Sequence, residues 1–243
     1  MLLAALDGAA FLPAQLDSLA AQQGAEWRLL WRDDGSSDGT AALLEGFAAR
    51  HPGRVARLDG PARLGATAGF LALLRAAPPD APVAFMDQDD VWAPGKLARA
   101  LDRLAAGHEA TCGRLALVDA ALRPIGLSAL PRFPPGFASL LAHNVAAGCT
   151  MALSPRGRAL ALAAPPPPGT QHDWWAALLV TGQGGRLDFD PQPMIRYRQH
   201  GGNAVGGGAG LRARVRRALA RGRPEGLARL PAHLAALRPV PLA

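Results

Sequence analysis

Short apolar runs followed by helical patterns recur four times in the first half of this chain, and no other feature limits its fold as much. Leu2-Leu3-Ala4-Ala5-Leu6 is a run suited to a buried strand, closed by Asp7-Gly8. A helical stripe of Phe11, Leu12, Leu16, Leu19 and Ala20 follows, with Pro13 tolerable in its first turn. Trp27 to Trp31 gives a second strand, then a helix through Ala41, Leu44 and Phe47. Val55 to Leu58 and Thr67 to Ala77 form the third pair. Pro82 to Met86 is the fourth strand, and Pro94 opens a helix through Leu97, Leu101 and Leu104. This alternation predicts an α/β fold with a mostly parallel central sheet flanked by helices. In such sheets ligands gather at the carboxyl ends of the strands.

The second half is less regular. Thr111 to Val118 reads as one strand, and Asn144 to Leu153 as a loop entering another. Ala164 to Gly169 holds four consecutive prolines, a stiff connector before a helix over His172 to Val180. Met194 to Tyr197 reads as a strand, Gly201 to Gly210 as a glycine-rich link, and the segment from Leu211 as an arginine-rich helix.

With 243 residues, 49% of them hydrophobic, the chain can bury one large core. Neither a signal peptide nor an apolar run long enough to cross a bilayer is expected. The first strand abuts Met1, an arrangement compatible with a start further upstream. Cys112 and Cys149 are the only cysteines and form no CxxC pair, which points to a reduced, cytoplasmic setting. The net charge of +7 is almost all arginine, since Lys96 is the only lysine. That charge suits an anionic membrane surface or phosphorylated substrates. Nucleic acid is not expected as a partner, because no zinc, RRM or helix-turn-helix signature is present and one tyrosine is available for stacking.

Two acidic clusters each follow a strand. The first, Asp34-x-Ser36-x-Asp38-Gly39 with Glu45 in twelfth place, has nearly the spacing of an EF-hand loop. Its incoming segment is strand-like and no second such loop exists, so a polar turn competes with calcium binding. The second, Asp87-Gln88-Asp89, sets two carboxylates two apart at the end of an apolar strand. A divalent cation that also grips a diphosphate would relieve their repulsion, whereas a solvated turn is the plainer reading.

The stretches DDGSSDGT, FMDQDDVWAPGKL, NVAAGCTMAL and HDWWAALLV…RYRQHGGN, in this order, resemble family 2 glycosyltransferases, most of all the bacterial rhamnosyltransferase-like branch. The resemblance covers Leu2 to about Val205 and implies an A-type glycosyltransferase fold. Residues 1–108 would be a Rossmann-like nucleotide-sugar-binding half, 109–205 the acceptor-binding, catalytic half of the same domain, and 206–243 a basic helical tail. It implies inverting transfer of a sugar, with rhamnose expected, from a nucleotide diphosphate donor to a saccharide or lipid-linked acceptor of cell-surface polysaccharide assembly.

By the same likeness Asp7, Asp34 and Asp87 would sit on the donor, Asp34 against the base and Asp87 against the ribose or sugar. Asp89, second acid of the D-x-D element, would hold Mg²⁺ or Mn²⁺, with His200 a further ligand and Arg196 and Arg198 candidate phosphate partners. Asp173 matches the general base, although aspartate also favours a helix start in its own right. Trp174 and Trp175 would line the acceptor pocket, with burial in the core the competing reading. In this branch the first strand commonly ends in a turn whose aromatic lies against the base, where this chain has Leu6. A UDP-hexose donor, nucleotidyl transfer, and a non-catalytic calcium or sugar-nucleotide module remain alternatives. The helix beginning at Leu211, with Arg212, Arg214, Arg216 and Arg217 around an apolar face, would suit peripheral contact with the inner face of a membrane.

Overall fold

The computed structural model describes residues 1–61, 63–200 and 225–243. The expected strand–helix alternation is present: β1 (Leu2–Ala5), α1 (Leu12–Ala20), β2 (Leu29–Asp33), α2 (Thr40–Arg50), β3 (Val55–Arg57), α3 (Gly65–Ala76), β4 (Val83–Met86), β5 (Val91–Trp92) and α4 (Lys96–Ala105). Then follow β6 (Ala110–Gly113), β7 (Ala116–Val118), β8 (Pro124–Leu127), α5 (Phe137–Ala142), a 3₁₀ turn (Gly148–Thr150) and β9 (Ala152–Leu153). The chain continues through α6 (Pro155–Ala161), α7 (His172–Gly182), β10 (Leu187–Asp190), β11 (Ile195–Arg198) and α8 (Glu225–Leu237).

Seven strands form the main sheet in the order β10-β6-β9-β4-β1-β2-β3, parallel except for β9, which runs antiparallel to both neighbours. Successive side chains of a strand face opposite ways, and β1 shows the consequence. Leu2 joins a core layer with Phe70, Leu73 and Leu74 of α3 and Trp174 to Val180 of α7. Leu3 joins the opposite layer with Leu12, Leu16 and Leu19 of α1, Leu44 and Phe47 of α2, and Leu97 and Leu104 of α4. The sheet is therefore covered on both faces.

A smaller sheet, β5-β11-β7-β8, stands beside the first. Its existence corrects the single strand expected over Thr111 to Val118. The chain leaves the main sheet at Gly113, where a Cβ would come 3.2 Å from the Asp190 carbonyl oxygen. Arg114 N–H donates to that carbonyl and Leu115 N–H to Ser128 Oγ, which turns the backbone into the second sheet as β7. Among the described residues no helix is long and apolar enough to cross a membrane. The glycine-rich link and the arginine-rich segment over 211–224 lie outside the described residues.

Candidate active site

Register brings the acidic loops together. Ala5 of β1 pairs with Asp33 of β2, and Leu3 pairs with Met86 of β4, so the segments after all three strands leave the sheet at one rim. Asp34 N–H donates to the Ala5 carbonyl there. Gln88 clamps β1 to the acidic turn: its Oε1 accepts from Leu6 N–H at 3.0 Å, and its Nε2 donates to the Leu6 carbonyl at 2.8 Å. A Cβ at Gly8 beside it would meet the Gln88 amide and push it from this position.

The first acidic loop binds itself. Asp33 accepts from the N–H groups of Gly35 and Ser36, and Asp38 accepts from Ala9 and Thr40 N–H and from the Thr40 hydroxyl. Those bonds, the Thr40 hydroxyl first, hold the exposed Asp38 carboxyl below the usual range. Asp7, at a positive φ of 45°, accepts Ser37 N–H at 2.7 Å and ties the end of β1 to this loop. Glu45 pairs instead with Arg57. Among the described residues no group of three or more metal-ligating side chains forms here. The loop's acids serve as backbone acceptors, which favours the polar-turn reading over calcium binding.

Asp34 is only 6% exposed. Its carboxylate accepts from the N–H groups of Leu64 and Gly65 at 2.7 and 2.8 Å, and from the Arg32 guanidinium at 3.2 Å. It thus fixes the start of α3, which carboxylates favour because the first N–H groups of a helix lack partners. Leu6 is 39% exposed at the same rim.

The second cluster carries strong electrostatic tension. Burial, then the charges of Asp89 and Asp173, push the Asp87 carboxyl up to about 7. Asp90, fully buried, is raised well above its usual value for the same first reason. Beneath it lie the buried Cys149 thiol and Lys96, whose ammonium sits 3.8 Å from the Trp92 ring centroid and is lowered by burial to about 8. Asp89 meets His200 directly, Oδ2 to Nε2 at 2.8 Å, and the imidazole packs on Phe11.

Two donor sets therefore exist. One is carboxylate plus imidazole, Asp89 with His200. The other is Asp87, Asp90 and Cys149, whose ligand atoms lie within 4.8 Å of one another. Oxygen and imidazole donors beside repelling acids fit a hard or borderline divalent ion such as Mg²⁺ or Mn²⁺; a thiol suits softer ions. Among the described residues the buried Asp90 Oδ2 atom has no hydrogen-bond partner other than the adjacent thiol, a further sign that this turn holds more negative charge than these neighbours balance.

Asp173 enters the rim from the other half of the chain, in the first turn of α7. Its Oδ2 accepts from Gly148 N–H at 2.8 Å and its Oδ1 from Asn144 Nδ2 at 3.2 Å. The carboxylate is partly exposed and near enough to Asp87 for its charge to act there. Gly148 has no room for a side chain, since a Cβ would press on His172 and Asp173. Asn144 and Gly148 both lie in the NVAAGCTMAL stretch, but nothing in their type signals a role as holders of Asp173.

Three expectations need correction. Trp174 and Trp175 are 4% and 0% exposed, with their indole N–H groups donating to the Leu140 and Ala164 carbonyls. They are core residues, and they face no acceptor. Arg198, 5% exposed, donates from Nε to the Asp89 carbonyl at 2.8 Å and from Nη1 to the Ala120 carbonyl, with its guanidinium over the Phe11 ring. It braces backbone and is not aimed at a phosphate. Arg196, by contrast, is exposed on β11. A cavity of about 670 Å³ contains none of the rim acids and is lined by Leu130 to Phe137 and Arg186 to Phe189 among others. It opens by Thr181, near the far end of α7 from Asp173.

Comparison with protein families matches residues 3–154 to the model described as glycosyl transferase family 2. No curated protein matches the chain in sequence. Among solved structures, residues 1–349 of S. aureus TarS in complex with UDP-GlcNAc superpose with a TM-score of 0.62 at 14% identity, covering 86% of this chain and 60% of that one. The TarS complex with UDP gives a TM-score of 0.58 at 16% identity, covering 81% and 59%. A mannosyltransferase from Pyrobaculum calidifontis, PcManGT with GDP-Man and Mn²⁺, gives 0.62 at 18% identity, covering 97% of this chain and 72% of that one. The chain thus spans about 60% of the TarS chain it matches. At these identities the likeness is one of fold, the A-type glycosyltransferase arrangement.

Proposed function

The chain belongs to glycosyl transferase family 2, and on that premise we propose that it is an inverting, metal-dependent glycosyltransferase using a nucleotide diphosphate sugar. The observation that carries this reading is the convergence of Asp87, Asp89 and His200 with Asp173, which come from separate elements, at one rim of the sheet. The solved relatives contain UDP, UDP-GlcNAc or GDP-Man, and one holds Mn²⁺, which supports a nucleotide-sugar donor and a divalent cation here.

Asp89 and His200 would hold the cation. When bound, it supplies positive charge against the diphosphate that departs. Asp87 lies on the donor side, Asp34 shapes the base end indirectly through the Leu64–Gly65 turn, and Asp7 fixes the loop that closes it. Arg196 is the exposed cation available to a phosphate oxygen. Asp173 accepts the proton of the acceptor hydroxyl as that oxygen forms its bond to the anomeric carbon. The carbon–oxygen bond to the diphosphate breaks on the opposite face, and the nucleoside diphosphate leaves with the electron pair. Gly148 N–H and Asn144 hold the carboxylate in place for this.

The finer reading takes dTDP-rhamnose as donor, with a UDP-hexose next, and a saccharide or lipid-linked acceptor at the cytoplasmic side of a membrane. The test is nucleoside diphosphate release from a donor panel with Mn²⁺, Mg²⁺ or EDTA. Release from one donor that EDTA abolishes, that Asp89→Ala removes, and that Asp173→Asn lowers by about a hundredfold or more is the expected result. Pyrophosphate release instead would indicate nucleotidyl transfer, and donor binding with no turnover a binding module.

A further inference from the structure

Nine large hydrophobic residues are exposed among the described residues, and four of them fall within a single stretch: Ile125, Leu127, Leu130 and Phe133, at 49%, 49%, 51% and 68%. All four residues of β8 are exposed, and β8 is the edge of the small sheet. The turn after it arches over the 670 Å³ cavity described above. A contiguous exposed apolar segment of this kind marks a surface that is covered in use.

Charge identifies the cover. Residues 120–143 contain no aspartate or glutamate; Arg123 pairs with Asp119 just outside them, and Arg132 lies exposed within them. The Arg132 guanidinium sits 5.4 Å from the Phe133 ring centroid, which keeps a cation beside the most exposed apolar side chain. Apolar side chains at acyl depth with arginine at headgroup level are the arrangement that an anionic bilayer favours. A second copy of the chain adding to the edge is disfavoured. β8 is four residues long and contains Pro124, which offers no N–H, and Gly126, which offers no side chain.

We propose that the segment from Arg123 to Phe133 docks this protein on an anionic lipid surface, with Leu130 and Phe133 entering the interface. β8 is separated from β11, the strand leading to His200, by β7 alone, about 10 Å at ordinary strand spacing. A docked edge would therefore hold the acidic rim close to the lipid headgroups. The proposal concerns a surface outside the acidic rim, and its test needs no donor or acceptor, so it stands or falls separately from the activity.

The experiment is sedimentation of the full chain with phosphatidylcholine vesicles, with and without phosphatidylglycerol. Wild type is expected to bind the anionic vesicles and to be released by salt. The double variant Leu130→Ser/Phe133→Ser is expected to bind about tenfold more weakly or less, given the apolar surface it removes, with an unchanged melting temperature. Arg132→Glu is expected to weaken binding to the anionic vesicles alone. A variant with Arg212, Arg214, Arg216 and Arg217 changed to Gln controls for the basic segment near the carboxyl end. Binding that survives the double variant, or that is lost only in this control, would overturn the proposal. So would a wild type that ignores vesicles and dimerises through the same residues, as read by light scattering.

Discussion

Asp87 is a residue at which a single proton changes the rim. Its carboxyl is pushed up to about 7 by burial and by the charges of Asp89 and Asp173. A carboxyl raised in the folded state favours folding while protonated. That contribution is fully present below the ordinary aspartate value, falls as the unfolded chain ionises, and is gone once pH passes about 7. The metal-free protein is therefore expected to lose melting temperature between about pH 4 and pH 7. Asp87→Asn should flatten that slope, and Mn²⁺ should restore stability above pH 7 by offsetting the repulsion. A slope unchanged in Asp87→Asn would show that the tension lies elsewhere. The acids themselves were readable from sequence because paired carboxylates after apolar strands are conspicuous. The indoles of Trp174 and Trp175 were not: their type suits a sugar pocket and a core equally, and only the positions of Leu140 and Ala164 decide between them.

Between elements, the connection that matters most is the one from β11 to the exit of β4. Arg198 ends β11, and from there its side chain bonds the Asp89 carbonyl while its own N–H donates to Asp90 Oδ1 at 3.2 Å. The spacing between Asp89 and His200, which follows two residues on, is thus set by a buried guanidinium bonded to backbone carbonyls. Arg198→Lys keeps the charge but cannot serve both the Asp89 and Ala120 carbonyls from one planar group. It is expected to raise the Mn²⁺ concentration needed for half-maximal turnover by about tenfold, with most of kcat recovered at saturating metal. A fall in kcat that metal does not relieve would assign Arg198 to the reaction itself. Sequence patterning found β1 to β4 and their helices because each is a periodic run between turn residues. It missed β5, β8 and β10 and merged β6 with β7. β5, with two residues, is too short to show a period, β8 is exposed along its whole length, and the change of sheet at Gly113 depends on the Asp190 backbone far along the chain.

At the scale of the molecule, the sequence suggested a basic tail beyond residue 205, yet the described end of the chain is part of the core. α8 packs against α5, and Leu237 and Val240 are 1% and 7% exposed within the same cluster as Trp174 and Trp175. His233 is fully buried, 2.9 Å from the Thr170 hydroxyl and edge-on to the Trp174 ring, and Ala243 N–H donates to the Gly182 carbonyl. Arginine density in 211–223 hid this from sequence, because the apolar positions that dock lie beyond it and Pro231 interrupts the helical pattern. α7 is the helix that presents Asp173, so α8 supports the candidate base from behind. Burying Leu237 and Val240 is worth about 3–6 kcal/mol together. Ending the chain after residue 205 should then lower the melting temperature by on the order of 10 °C or more. Leu237→Ala, a smaller change, should cost about 2–5 kcal/mol in urea unfolding. Donor-dependent turnover should fall in both to the extent that α7 loosens, and hydrogen exchange over residues 172–182 measures that loosening directly. A truncated chain that melts with the full one, and protects α7 equally well, would return residues 225–243 to the status of an appendage.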